Sequence, residues 1–245
     1  MRHLVDQELA FGTDVLATAE AKVFFRRWRK RDWKQRKAWT KVRKDKYVIG
    51  DKEILGSALI SGIRRHLLEI QRNLCCYCQR ELQGIAYARP VEHILSKKDY
   101  PQYAFHYRNL AVSCFDCNLK KSHHNWTKWP KGRRRYVSAR RCKEFFHPRY
   151  HSYDEHIHFI RMRTNGASIS AYVGVTRQGR NLCTNLLADS ARREVALTAN
   201  PRLEAALFSL RADVQMLENS ALNQDLERFL EKLEGMVLAT GAGIP

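Results

Sequence analysis

Two Cys-x-x-Cys pairs constrain this chain more than any other feature. Cys75 and Cys78 lie in "LCCYCQ" and Cys114 and Cys117 in "SCFDCN", with 35 residues between the pairs. Four thiolates in two short-range pairs are the usual ligand set of a closed, tetrahedral structural zinc. Each pair needs a tight knuckle, and one shared ion joins two stretches that are distant in sequence. Much of the ion's binding free energy then becomes folding free energy for the enclosed loop. The plainer reading is a set of buried free thiols, a common fate of cysteine. Cys76 is a poor substitute for Cys75, because a single residue would separate it from Cys78. Cys142 and Cys183 read as leftover thiols. The N-terminus, "MRHLVDQELAFG", lacks the apolar core of a signal peptide, and no run of 18 apolar residues is present to span a membrane. The expected location is the cytoplasm, where such cysteine pairs more often mean metal than disulfide.

The charge speaks about partners. A net +19 over 245 residues suits nucleic acid or an anionic membrane surface. From Lys22 to Lys46, thirteen Lys and Arg face only Asp32 and Asp45. Without Gly or Pro the segment is predicted to be one helix. Trp28, Trp33 and Trp39 are interleaved in it, and Trp28 and Trp39 with Phe24 or Phe25 fall at near-helical spacing, as core residues would. Its bland reading is a solvated face. So dense a charge repels itself unless phosphates meet it, which makes Arg26, Arg27, Arg29, Lys30 and Arg31 candidates for nucleic-acid binding. A second basic run, Lys120 to Arg149, is opposed only by Glu144, and its Arg133, Arg134 and Arg135 would extend the same surface. Phosphate contacts position a nucleic acid without reading its bases.

The remainder divides by pattern. Lys52–Gln71 is predicted to be a helix with Ile54, Leu55, Ala58, Leu59, Ile63, Leu67 and Ile70 inward. Residues 156–187 read as short strands, with Asn165-Gly166 as a hairpin signal. His147, His151, His156 and His158 read as ordinary histidines rather than a second metal site. From Pro201 the pattern is helical. Leu203, Leu207, Leu210, Val214 and Leu217 form one stripe; Leu222, Leu226, Phe229, Leu233 and Val237 form another after a cap at Asn219 or Ser220. The stripes bury each other in a helical hairpin, or part of them docks on another protein. The expected organisation is a basic helical region (1–71), a metal-pinned core (72–130), a basic and β-hairpin extension (131–190) and C-terminal helices (191–245).

Within the core, "ARPVEHIL" (Ala88–Leu95) reads as a strand with Glu92 and His93 on opposite faces. "NLAVSC" (Asn109–Cys114) reads as a second strand, and a helix begins at Phe115 with Asn118 and Lys121 on one face. Strand, long loop, strand and helix, pinned by four cysteines, resemble the HNH endonucleases, the treble-clef-like ββα-metal nucleases. Glu92-His93-Ile94, Asn109-Leu110, Asn118, Lys121 and the two cysteine pairs carry the likeness over about 50 residues. The fold class expected is therefore α+β. The resemblance implies a divalent ion, Mg²⁺ or Mn²⁺ with Ni²⁺ as a further option, held by Glu92 and Asn118. It implies His93 as general base, its ring oriented by the Asn of the Asn-Leu pair, here Asn109, or by backbone, and Lys121 meeting a phosphate. The chemistry agrees: imidazole is a fit base near neutral pH, and hard cations prefer oxygen ligands. Where some members carry a further metal-binding histidine this chain has Ser122, with His123 and His124 beside it as substitutes. A Glu-His pair on a strand is by itself often ordinary surface chemistry, and an isolated Asn-Leu means little; order and spacing carry the argument.

A second, looser resemblance runs from about residue 70 to 195. "FFHPRYHSYDEHIHFI" and the strands after it are similar to HNH proteins encoded with ATPases in bacterial anti-phage systems of the Septu and retron-associated type. This implies an ABC- or SMC-like ATPase partner; the chain itself has no GxxxxGK phosphate loop. The function expected is metal-dependent cleavage of nucleic acid, DNA ahead of RNA, in defence. A non-catalytic DNA- or RNA-binding module and a zinc-stabilised scaffold subunit are the alternatives.

Overall fold

Helix α1 (Arg2–Asp14) and helix α2 (Ala19–Lys30) meet through Phe11 and Phe25, whose ring centroids are 5.7 Å apart, and Phe24 and Trp28 of α2 are buried as well. The computed structural model describes residues 2–30, 38–49, 52–82, 90–122, 129–163 and 168–191. Arg31, Trp33, His123, His124, the Asn165-Gly166 turn and the C-terminal stripes lie outside them, as does the Lys30 side chain. In α2 the aromatic residues occupy one side, while Arg26, Arg27 and Arg29 are exposed on the other, the division an amphipathic helix requires. Trp28 and Trp39 are core residues, as their spacing predicts.

The basic segment does not stay helical to Lys46. Helix α3 (Ala38–Lys44) ends at Asp45, whose carboxylate accepts from the Trp28 indole at 3.0 Å. Strand β1 (Lys46–Ile49) then pairs antiparallel with β2 (Lys52–Leu55). Consequently Lys52–Leu55 are strand rather than the start of the next helix, and Leu55 and Ala58 are exposed. Helix α4 (Gly56–Ile70) begins at a glycine for a steric reason: a Cβ on Gly56 would stand 1.7 Å from the Val42 carbonyl oxygen. Leu59, Ile63 and Leu67 form the buried stripe of α4.

The core is a ββα unit. Strand β3 (Val91–His93) pairs antiparallel with β4 (Leu110–Val112), aligning Glu92 with Ala111 and His93 with Leu110. Helix α5 (Phe115–Lys121) follows. Both strands are shorter than the sequence suggests. Past His93 the Leu95 backbone is taken up by the side chain of Asn109, itself the end of a 3-10 turn (Tyr107–Asn109). The loop between the strands also receives α1: Tyr107 donates its hydroxyl to the Gln7 carbonyl at 3.0 Å, and Arg108 pairs with Glu8 at 2.9 Å.

Strands β5 (Ile157–Arg163) and β6 (Ser168–Gly174) form the expected hairpin, in register from Ile157↔Gly174 to Arg163↔Ser168. Among the described residues, those beyond Val175 are not strands. Helix α6 (Arg177–Leu182) starts at a Thr176 cap, whose hydroxyl accepts from the Gly179 amide at 3.1 Å, and runs on as a wider turn through Leu187. Leu182, Leu186 and Leu187 are buried, a spacing that suits a helix and not a strand.

Candidate active site

The two cysteine pairs converge. All four Sγ atoms lie within 4.8 Å of one another and all four residues are buried. The Cys78 and Cys114 sulfurs are 3.7 Å apart; a tetrahedral zinc with Zn–S bonds of ~2.3 Å has sulfur-to-sulfur edges of ~3.8 Å. The quartet could hold zinc on that geometry. The first knuckle closes through the Cys75 amide donating to the Arg80 carbonyl and Gln79 donating back to Cys75, with Gln79 at φ 55°. In the second, Cys114 caps α5, its sulfur accepting from the Cys117 amide at 3.4 Å. Cys76 stands outside the quartet. Burial pushes its thiol well up, so it stays protonated, and its amide ties the knuckle to the Val112 carbonyl of β4 at 3.0 Å.

Sequence reasoning missed the buttress of this knuckle. Tyr172 of β6 donates to the Cys78 carbonyl at 2.9 Å, and Arg161 of β5 reaches the Cys78 and Gln79 carbonyls at 3.3 Å each. No local pattern announces that an arginine 83 residues downstream will satisfy a knuckle carbonyl.

His93 is buried against the N-terminal region. The Trp39 indole meets its ring at 4.7 Å, edge to face at 89°, and Phe105 packs behind the indole. Its Nε2 lies 3.1 Å from the Ala104 carbonyl oxygen. A carbonyl only accepts, so Nε2 carries the proton and Nδ1 keeps its lone pair. Burial, then the charges of Lys97 and Lys121, hold the imidazole well below its ordinary pKa. The ring is therefore neutral near pH 7.

Of the two orienting contacts expected, Asn109 or backbone, the ring meets the backbone one, the Ala104 carbonyl. The Asn109 amide is fully engaged elsewhere: Oδ1 accepts from the Leu95 amide at 2.7 Å and the Tyr136 hydroxyl at 3.0 Å. Nδ2 donates to the Leu95 and Tyr103 carbonyls at 3.1 Å each. It shapes the loop that presents Ala104 to His93, a positioning task one step removed from the ring.

Glu92 points to the other face of β3. Its Oε1 accepts from the Tyr77 hydroxyl at 3.1 Å and lies 2.6 Å from the Lys121 ammonium, with both charged side chains buried. Lys121 also donates to the His93 carbonyl at 2.9 Å. In this arrangement Lys121 faces a carboxylate and a peptide carbonyl rather than a bulk-exposed phosphate. Asn118, one turn earlier on α5, is half-buried. A carboxylate and an amide oxygen are donors of the kind a hard divalent ion takes, and at Glu92 the cation in contact is the Lys121 ammonium. Apart from the four cysteines, no group of three His, Cys, Asp or Glu among the described residues is arranged to hold a metal.

Arg26, Arg27 and Arg29 on α2, and Arg133, Arg134 and Arg135, are all exposed. The second trio is anchored beside the site, since the Tyr103 hydroxyl donates to the Arg133 and Arg135 carbonyls.

Among the described residues His106, His147, His151 and His156 pack against aromatic rings, whereas His158 is exposed. His147 is fully buried, stacked on Tyr150 at 4.0 Å, with Nε2 2.9 Å from the Tyr136 hydroxyl. Burial, then the charge of His151, holds His147 well below the usual histidine range. Burial likewise takes His106 and His151 to about 4. The unfolded chain binds these protons below its ordinary pKa of ~6.5, whereas the folded chain does not. Stability is therefore full above pH ~6.5 and falls as the pH drops toward 4. His147 contributes at most ~1.4 kcal/mol per pH unit to the slope. Thermal melts across pH 7.5 to 4.5 check this, and a His147→Gln variant separates it from acid loss of any thiolate-bound metal. A variant as acid-sensitive as the parent would go against the assignment.

Over 68 residues the chain is 41% identical to the Septu protein PtuB of Bacillus thuringiensis. The matched stretch is 28% of this chain and 26% of that protein, so the chain spans about a quarter of the curated relative it matches. No family model matches the chain, and no solved structure does.

Proposed function

We propose that this chain is an HNH-type endonuclease of an anti-phage defence system, hydrolysing phosphodiester bonds of nucleic acid, DNA ahead of RNA. One observation carries the reading: a neutral imidazole at His93, its tautomer set by a backbone carbonyl, next in sequence to a buried carboxylate and lying in the chain between the two cysteine pairs of the quartet. His93 Nδ1 takes a proton from water. The water oxygen bonds to phosphorus, and the bond to the leaving sugar oxygen breaks, that oxygen being protonated from solvent. Glu92 and Asn118 would hold the divalent ion, which when bound supplies charge stabilisation at the phosphate. The knuckle is structural and takes zinc. The likeness to the Septu protein supports a defence role; the resemblance to HNH proteins encoded with ATPases supports an ATPase partner, and co-purification from the native host tests it.

The test of activity is direct. Zinc-loaded protein with Mg²⁺ or Mn²⁺ is offered plasmid, single-stranded DNA and tRNA, and cleavage of at least one is expected. The covered His93 favours one second reading, a module that binds nucleic acid without cutting; binding with no cleavage of any substrate would establish it. On either reading, converting Arg26, Arg27 and Arg29 to Ala should weaken binding to all sequences alike. The salt dependence should flatten by up to ~0.9 in log–log slope for each duplex phosphate no longer neutralised. An unchanged slope would assign α2 to an acidic protein partner.

A further inference from the structure

The Glu92–Lys121 pair joins the two elements that the proposed reaction needs, β3 and α5. The ammonium sits 2.6 Å from Oε1, on the carboxylate proposed to take the divalent ion, and its second bond goes to the His93 carbonyl. Both side chains are almost completely removed from solvent, at 2% exposure for Lys121 and 4% for Glu92. A buried carboxylate without a counter-charge is costly, and Lys121 removes that cost when no metal is present. A divalent ion on the same carboxylate would face a like charge at contact distance. The two cations are mutually exclusive there.

We infer that Lys121 is a resident counter-ion that must leave Glu92 before a divalent ion binds, so that metal occupancy and the position of the Lys121 ammonium are one coupled equilibrium. This rests on the proposed nuclease reading and deepens it. The exchange is cation for cation, with no bond made or broken. It lowers the affinity for metal by the strength of the pair and keeps strand β3 in place while the site waits. It also reconciles the phosphate-facing role that the sequence suggests for Lys121 with its observed partner: the ammonium becomes available to a phosphate only after the ion arrives. Coupling through displacement has a definite sign, since removing the competitor tightens metal binding and binding the metal exposes the competitor.

Two measurements on the full, zinc-loaded chain test this. Mn²⁺ binding is followed by the electron paramagnetic resonance of the free ion. Lys121→Met is expected to bind Mn²⁺ at least ~10-fold tighter than the parent, a coupling of typical size, and Glu92→Gln to lose the site. The second uses the unaltered protein and so does not depend on a variant that folds. Reductive methylation of Lys121, read by mass spectrometry, is expected to be slow without metal and at least ~10-fold faster at saturating Mn²⁺. Unchanged labelling on Mn²⁺ saturation, equal or weaker Mn²⁺ affinity in folded Lys121→Met, or no Mn²⁺ binding at all would each overturn the inference. Cleavage with unmoved Lys121 labelling would leave the nuclease standing without it. Metal-coupled labelling with no cleavage of any nucleic acid would support it while sinking the nuclease.

Discussion

Stripping the metal from the four-cysteine knuckle is expected to unfold the core rather than loosen it. A structural zinc contributes ~10–16 kcal/mol of apparent binding free energy at neutral pH, against a total stability of ~5–15 kcal/mol for an ordinary domain. The loss is therefore as large as the whole folding free energy. The geometry makes it worse locally, because the Cys114 amide donates to the Cys75 sulfur at 3.2 Å and Cys76 ties the knuckle to β4. Elemental analysis should find one zinc per chain, and Cys78→Ser or Cys117→Ser should abolish cooperative melting. Soluble protein with a sharp melt and no zinc would refute this.

The second large effect is at His93. Removing a general base costs typically ~10²–10⁴-fold in rate, and cleavage should fall by that factor in His93→Ala and in His93→Gln. The glutamine variant is the cleaner one. His93 fills space under Trp39, so the alanine variant leaves a cavity and should lose ~1–3 kcal/mol as well, whereas Gln keeps bulk and a donor for the Ala104 carbonyl. Zinc content should be unchanged in both. Because burial holds His93 well below its ordinary pKa, activity should not drop as the pH falls through 6.5. A variant cutting at the parental rate would remove His93 from the chemistry.

Much of this site is legible in the sequence, and for physical reasons. Metal ligands need short, rigid spacings, so Cys75, Cys78, Cys114 and Cys117 declare themselves in the chain and converge in space. The inward Trp28 and Trp39 follow from helical period alone. What escaped was set by tertiary contact. Lys52–Leu55 carry a helical pattern, yet pairing with Lys46–Ile49 and the close approach of Gly56 to Val42 hold them extended. Arg177–Leu187 follow a hairpin and inherit its strand reading, until the Thr176 cap turns the chain into a helix. The partner of the His93 ring is a main-chain carbonyl, and any residue at position 104 would offer one. Lys121 carries a charge that fits a phosphate or a carboxylate equally well, and only the placement of Glu92 decides between them.

The contacts between α1 and the β3–β4 loop bear on how the chain is made. Gln7 with Tyr107, and Glu8 with Arg108, are each separated by 100 residues. At synthesis rates of ~5–20 residues per second, α1 leaves the ribosome some 5–20 seconds before its docking surface exists. During that interval Phe11 and the aromatic face of α2 have no loop to cover them, and ordering them afterwards means closing a long segment of chain. Helix α1 is thus a late arrival in folding although it is translated ahead of the loop that covers it.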